Sequence, residues 1–192
     1  MMARMPILRS VNVARARKVT IAGRSVMTAI GKHPVEGPVA VAPLGLEGDE
    51  QADLSVHGGI SKAIYAYPVE HHAFWQTVRA QARVAAWDTP LAPGALGENL
   101  TLEGLLEKDV CVGDLLRFPE CELAVSEPRF PCFKFNAAMG FPQAAKLMKE
   151  SGWCGFYLAV RTPGRLRAGE SFEVVAGPRH IGIPELFRAR SR

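Results

Sequence analysis

A cysteine flanked by two cations is the feature of this sequence that is best suited to chemical reactivity. Cys132 lies between Arg129 and Lys134, and Pro128 and Pro131 precede it. Each proline fixes its own φ angle and disfavours helical geometry in the residue before it, so the peptide should approach Cys132 as a stiff, non-helical segment. In an extended segment, Cys132 and Lys134 would point to the same side. Positive charges stabilise a thiolate, so we expect a lowered pKa for Cys132, which suits a nucleophile or a soft-metal ligand. The alternative interpretation is a small buried thiol in a strand, with both cations in solvent.

A polar, glycine-punctuated stretch forms a second candidate region. Asp49 and Asp53 are followed by His57, which suggests a divalent-metal site, although their spacing matches no EF-hand loop. Gly58 and Gly59 come next. Without Cβ atoms, these glycines could bring backbone N–H groups close to an anion; the alternative is a tight turn into the next strand.

Short apolar segments separated by turns must position these residues. The pattern predicts amphipathic helices over residues 68–84 and 142–151. Strands are predicted at residues 18–21, 39–41, 63–67, 122–126, 156–161 and 171–175, and residues 110–118 are predicted to form two strands joined by a tight turn at Gly113-Asp114. Seven or eight short strands with two helices favour a mostly β fold, an antiparallel barrel or sandwich with a few peripheral helices.

Composition describes an ordinary globular protein. The 192 residues predict a single domain over 1–192, which ends in a short basic tail at 177–192. The net charge of +4 is mild and does not demand a nucleic-acid partner. The four cysteines form no C-x-x-C pair, which argues against a zinc knuckle, and their wide spacing does not suggest a disulfide scaffold. Neither a signal peptide nor a bilayer-spanning run is recognised, so we expect a cytoplasmic protein without a membrane partner.

The order of motifs resembles a known family. The segment 44–52, then His57-Gly58-Gly59, then Tyr67-Pro68, look like the MOSC domain, which takes its name from the C-terminal part of molybdenum-cofactor sulfurases. Residues 97–100, 112–114 and the Pro-Arg-x-Pro-Cys-x-Lys peptide at 128–134 continue the match in the same order. The resemblance runs from about residue 44 to about residue 175 and is strongest to the stand-alone YiiM type.

This resemblance implies a pyruvate-kinase-like β-barrel that binds the molybdenum cofactor (Mo-molybdopterin). It implies that Cys132 is the molybdenum ligand, and that the protein reduces N-hydroxylated compounds such as 6-hydroxylaminopurine or amidoximes. An external flavin or iron–sulfur protein would supply the electrons, and His57 is a candidate proton donor. The predicted cofactor-binding residues, some of them suited to the pterin phosphate, are Gly58, Gly59, Lys62, Asn99, Arg129, Lys134 and Asn136.

Two other functions are compatible with the same cysteine. Cys132 could carry a persulfide and pass the sulfur on for cluster or cofactor maturation, or the domain could bind the cofactor without catalysis. The sequence shows no pyridoxal-phosphate domain, so we do not expect it to generate a persulfide by cysteine desulfuration. Longer YiiM-type chains continue into a helical tail, whereas this sequence ends at Arg192, and the oligomeric state stays open.

Overall fold

Thirteen short strands and four helices make up the described part of the chain. The computed structural model describes residues 5–52 and 58–191. The strands are β1 Ile7–Val13, β2 Arg17–Ile21, β3 Arg24–Thr28, β4 His33–Pro34, β5 Val39–Ala42, β6 Gly45–Leu46, β7 Ile64–Pro68, β8 Leu100–Glu103, β9 Leu115–Arg117, β10 Glu122–Pro128, β11 Phe156–Thr162, β12 Gly164–Leu166 and β13 Glu173–Val175. The helices are α1 His72–Gln81, α2 Phe133–Met139, α3 Ala144–Ser151 and α4 Ile183–Arg190.

Eight of these strands form one large sheet. Their order is β13-β9-β10-β11-β7-β8-β1-β4, and two smaller sheets have the orders β12-β5-β6 and β2-β3. Strands β7 and β8 pair in parallel, while the other pairs between named strands are antiparallel. A parallel pair needs a long crossover connection, and here the connection contains α1.

Backbone hydrogen bonds bring one end of the large sheet toward β1. The N–H of Leu8 donates to the carbonyl of Glu170 over 2.8 Å, and the N–H of Gly169 donates to the carbonyl of Leu8 over 2.7 Å. These contacts precede β13, so the sheet curls back on itself. The prediction of a mostly β fold with few helices is confirmed. The strand pairing itself runs from β13 to β4 and does not show the predicted closed barrel.

Two predicted helices exist and two more were not predicted. Helix α1 lies within the predicted segment 68–84, and α3 lies within 142–151. Helix α2 begins directly after Cys132 and ends at Gly140, whose φ of +84° suits a residue without a Cβ atom. Helix α4 lies in the segment expected to be a short basic tail. No helix of residues 5–52 or 58–191 is long and apolar enough to cross a bilayer.

Helix α4 is part of the core rather than an appendage. Ile183 and Phe187, four residues apart, are both buried, while Arg179, Arg188 and Arg190 are exposed. The ring of Phe187 stacks on Phe130 at a centroid distance of 5.1 Å. Because Phe130 lies two residues before Cys132, the C-terminal helix supports the cysteine peptide.

Candidate functional site

Cys132 lies in the wall of a cavity that also contains four cationic side chains. Lys32, Lys62, Arg129 and Lys134 line it, whereas its lining carboxylates are those of Asp49 and Glu50 only, among the described residues. The wall includes the segment between β10 and α2, the first turn of α2, residues 28–32 and the segment 49–52. The arrangement therefore combines one thiol with an excess of positive charge.

The approach to Cys132 is non-helical, as its sequence predicts. Strand β10 ends at Pro128, and Cys132 has extended backbone angles of φ −117° and ψ 177°. The chain turns helical immediately afterwards, and the N–H of Phe135 donates to the carbonyl of Cys132 over 2.9 Å. The expectation that the extended geometry continues to Lys134 is wrong, because a proline restricts itself and the residue before it but not the residues that follow. Lys134 nevertheless lines the same cavity from the first turn of α2.

Arg129 is a buried cation surrounded by aromatic rings. Only 4% of the residue is exposed, and its guanidinium lies 4.6 Å from the ring centroid of Phe135 and 5.3 Å from that of Tyr65. Its Nη1 donates to the sulfur of Met148 over 3.3 Å. Within the described residues, no carboxylate lies within ion-pairing distance of this guanidinium. Burial lowers the pKa of Arg129, but the electrostatic influence of Tyr65, Tyr157 and Cys132 raises it overall, so the guanidinium stays charged.

Lys32 is a cavity residue that sequence reasoning missed. Its ammonium group is buried and pairs with Oδ1 of Asp49, which also accepts from the N–H of Ala14 over 2.9 Å. Desolvation lowers the pKa of Lys32 despite the attraction of Asp49. The lysine lies in a loop 17 residues before its partner, and that separation follows no secondary-structure period.

The side chain of Asn99 forms hydrogen bonds with other residues of the protein rather than projecting unpaired into the cavity. Its Nδ2 donates to Oδ2 of Asp49 over 2.8 Å and to the carbonyl of Asn12 over 3.2 Å, and its Oδ1 accepts from the N–H of Tyr65 over 3.1 Å. Both amide hydrogens are therefore used within the protein. The Asp49 carboxylate is likewise occupied by Lys32 and Asn99, which does not favour a metal role for it. Within residues 5–52 and 58–191, no group of three or more His, Cys, Asp or Glu side chains could hold a metal ion.

Glu98 is a fully buried carboxyl group beside this network. It accepts from the N–H of Gly94 over 2.7 Å, the N–H of Leu96 over 3.1 Å and the hydroxyl of Thr101 over 3.1 Å. Desolvation outweighs these donors and raises the pKa of Glu98 from 4.5 to about 7. Nε2 of His72 lies 3.7 Å from Oε1 of Glu98 and makes no hydrogen bond with a described residue. Burial lowers the pKa of His72, so a neutral imidazole faces a carboxyl group that is readily protonated.

Three predicted site residues that the structure describes, Gly58, Gly59 and Asn136, do not line the cavity. Gly58 and Gly59 are not lining residues, and the N–H of Gly59 donates to Oε1 of Gln51 over 3.0 Å. Asn136 also lies off the wall, where its Oδ1 accepts from the N–H of Ala145 over 2.7 Å and caps the start of α3. His57, like Asp53, lies outside the described residues. Their roles toward a cofactor stay predictions.

A comparison of the sequence with family profiles decides the relationship. The MOSC domain profile matches residues 53–173, which include Cys132 and three of the cavity cations. The chain belongs to the MOSC domain family. The uncharacterised protein YflK of Bacillus subtilis is 36% identical over 175 residues, which are 91% of this chain and 76% of YflK. The protein YiiM of Escherichia coli is 38% identical over 159 residues, or 82% of this chain and 68% of YiiM.

Solved structures agree with the MOSC assignment. The crystal structure of YiiM from Geobacillus stearothermophilus has a TM-score of 0.75 at 33% identity and covers 96% of this chain and 83% of that one. YiiM from E. coli has a TM-score of 0.72 at 29% identity, with 96% and 76% coverage. A Gibberella moniliformis protein named "Reductase" is 30% identical over 195 residues, and this chain spans 33% of its length. The predicted YiiM-type resemblance is thus confirmed.

Proposed function

We propose that this MOSC domain binds the molybdenum cofactor in the cavity at Cys132 and works as a reductase of N-hydroxylated compounds. The observation that carries the proposal is the presence, in one cavity, of the Cys132 thiol and a buried cation, Arg129, that lacks a carboxylate partner among the described residues. The MOSC family is associated with the molybdenum cofactor, and a relative that spans this whole region is named as a reductase.

The side chains fit the cofactor on chemical grounds. A buried charge without a counterion is costly, and a phosphate group beside Arg129 would offset that cost through charge-assisted hydrogen bonds. Lys62 and Lys134 line the same cavity and add positive charge for the same anion. Molybdenum favours soft donors, and the thiolate of Cys132 is such a donor.

The residues of the cavity would hold and orient the cofactor and shield it from water. Cys132 would hold the metal, and Arg129 would hold the anionic end of the pterin with the two lysines. Tyr65 and Tyr157 supply an apolar wall whose buried phenols stay protonated, since desolvation raises the pKa of both. When bound, the cofactor would supply the redox chemistry of N–O reduction.

The proposed reaction requires a source of electrons and a source of protons. Reduction of a hydroxylamine takes up two electrons and two protons, breaks the N–O bond, and releases an amine and water. The electrons would come from an external flavin or iron–sulfur protein. His57 is the proposed proton donor, since an imidazole titrates near neutral pH. We propose that the protein works in the cytoplasm, without nucleic acid or a membrane as partner.

Metal analysis with pterin fluorescence tests this proposal. Wild type, Cys132→Ala and the matched control Cys111→Ala would be purified from a molybdenum-replete host. Cys111, like Cys132, forms no disulfide, but it does not line the cavity. We expect near-stoichiometric molybdenum and pterin in wild type and in the control, and loss of molybdenum in Cys132→Ala. The loaded protein should then reduce 6-hydroxylaminopurine with reduced methyl viologen as donor. Absence of molybdenum from all three, with a labile persulfide on Cys132, would instead indicate a sulfur carrier.

A further inference from the structure

Positive charge is concentrated at the start of the chain. Residues 1–35 contain seven Lys and Arg and no Asp or Glu. The remaining 157 residues contain 16 Lys and Arg against 19 Asp and Glu, so they carry a net negative charge. The net positive charge of the protein therefore comes from its N-terminal segment, in which Arg9 pairs with Glu103 and Lys32 with Asp49.

The centre of this segment is a hairpin that stands apart from the large sheet. Strands β2 and β3 pair only with each other, through a turn at Ala22 and Gly23 with φ of 48° and 76°. Arg17, Lys18 and Arg24 are exposed on it. None of these three side chains forms an ion pair with a described residue. Exposed cations without internal partners are available to an external anionic surface.

The hairpin leads directly to the cavity that holds Cys132. Its last residue, Thr28, lines the cavity, and so do Ala29 and Ile30 after it. Arg17 pairs with Thr28 across the hairpin. A Cβ atom added at Gly31 would lie 3.5 Å from Nη2 of Arg17, so this guanidinium lies against the loop that forms one side of the cavity.

Four large exposed apolar side chains lie on residues close in the chain, or joined by a hydrogen bond, to residues that line the same cavity. Met27, Leu44, Ile60 and Phe133 are 43%, 62%, 67% and 56% exposed, and they are half of the eight such side chains in the described residues. Met27 precedes Thr28, Phe133 follows Cys132, and Ile60 begins the helical turn that ends at Lys62.

Leu44 is tied to the cavity wall by a hydrogen bond. Its carbonyl accepts from Nε2 of the lining residue Gln51 over 3.1 Å. Apolar side chains surrounded by polar and charged ones are typical of protein–protein interfaces.

We propose that this rim is the docking surface for an acidic electron-donor protein, which brings its redox group to the mouth of the cavity. The rim consists of Arg17, Lys18, Arg24, Met27, Leu44, Ile60 and Phe133. The inference rests on the proposed reductase function, because that reaction draws two electrons from another protein. Unpaired cations complement an acidic partner, and the four apolar side chains favour a protein over a nucleic acid as that partner.

Shared use of one opening has a kinetic consequence. The donor would pass two electrons to the bound cofactor while it covers the mouth, and it must leave before the N-hydroxylated substrate enters. The substrate then gains the electrons and two protons as its N–O bond breaks, which releases amine and water. Donor and substrate should therefore alternate, with parallel lines in a double-reciprocal plot, and excess oxidised donor should compete with substrate.

A comparison of two electron sources tests the docking surface. Cofactor-loaded protein would reduce 6-hydroxylaminopurine with either reduced methyl viologen, a small molecule, or reduced flavodoxin, an acidic flavin protein. The variants are Lys18→Glu/Arg24→Glu and Met27→Ser. The matched control is Lys108→Glu/Lys149→Glu, which makes the same charge change at two exposed lysines that line a different cavity.

The expected result separates docking from catalysis. With flavodoxin at low salt, kcat/KM for the donor should fall about tenfold or more in Lys18→Glu/Arg24→Glu, and much less in the control. This difference should shrink at about 0.5 M salt, because screening weakens the attraction. Met27→Ser should raise the KM for flavodoxin without changing its salt dependence. Viologen-driven rates should match wild type in every variant.

Three results would overturn the docking proposal. The first is an unchanged flavodoxin kcat/KM in the hairpin variant, and the second is an equal loss in the control. The third is a hairpin variant that differs from wild type only in self-association, measured by sedimentation, because the rim would then be an interface between two copies. Failure of viologen to drive turnover in wild type would instead contradict the proposed function itself.

Discussion

Glu98 makes the protein's stability depend on pH in a defined direction. The carboxyl group is fully buried, and its pKa is raised from 4.5 to about 7 by desolvation. The folded state therefore binds this proton more tightly than the unfolded state. The resulting stabilisation is complete below pH 4.5 and is lost as the pH rises through 7. The interval between the two pKa values corresponds to about 3 kcal/mol of unfolding free energy.

Urea denaturation between pH 4.5 and 8.5 would measure this contribution. Glu98→Gln removes the titration while it keeps the size of the side chain. The unfolding free energy of wild type minus that of Glu98→Gln should fall by about 3 kcal/mol from the acidic to the basic end of the range. Glu103→Gln, on the neighbouring strand β8 and less buried, provides the baseline. A difference curve for Glu98 as flat as this baseline would mean that the hydrogen bonds from Gly94, Leu96 and Thr101 cancel the desolvation, and our reasoning would be refuted.

Two further substitutions test the supports of the cavity. Arg129→Met removes a desolvated charge, so the cofactor-free protein should lose no more than about 1 kcal/mol of unfolding free energy, while pterin retention falls in fluorescence assays. A large loss of stability with pterin retained would show that Arg129 stabilises the fold through its contacts with Phe135 and Tyr65 and does not bind the cofactor. Phe187→Ala should cost about 3–5 kcal/mol in denaturation and lower the molybdenum content, because it removes the ring that supports Phe130. A molybdenum content equal to that of wild type in folded Phe187→Ala would contradict this support role.

Local rules explain what could be predicted from the sequence. The non-helical approach to Cys132 follows from two prolines, whose effect on φ needs no tertiary contact. Helices α1 and α3 follow from the spacing of their apolar residues. The ordered motifs indicated the family. Helices α2 and α4 escaped prediction, since α2 is only seven residues long and the two buried apolar residues of α4 lie among arginines.

The sequence by itself determined the cysteine, its neighbouring cations and the stiff peptide before it. Only the tertiary structure decided how those groups are used. It buried Arg129 among aromatic rings and paired Lys32 with Asp49. It also directed both amide hydrogens of Asn99 into hydrogen bonds with Asn12 and Asp49. It also placed the basic hairpin beside the cavity. Each of these outcomes depends on contacts between segments far apart in the chain, and neither residue type nor spacing encodes which segments will meet.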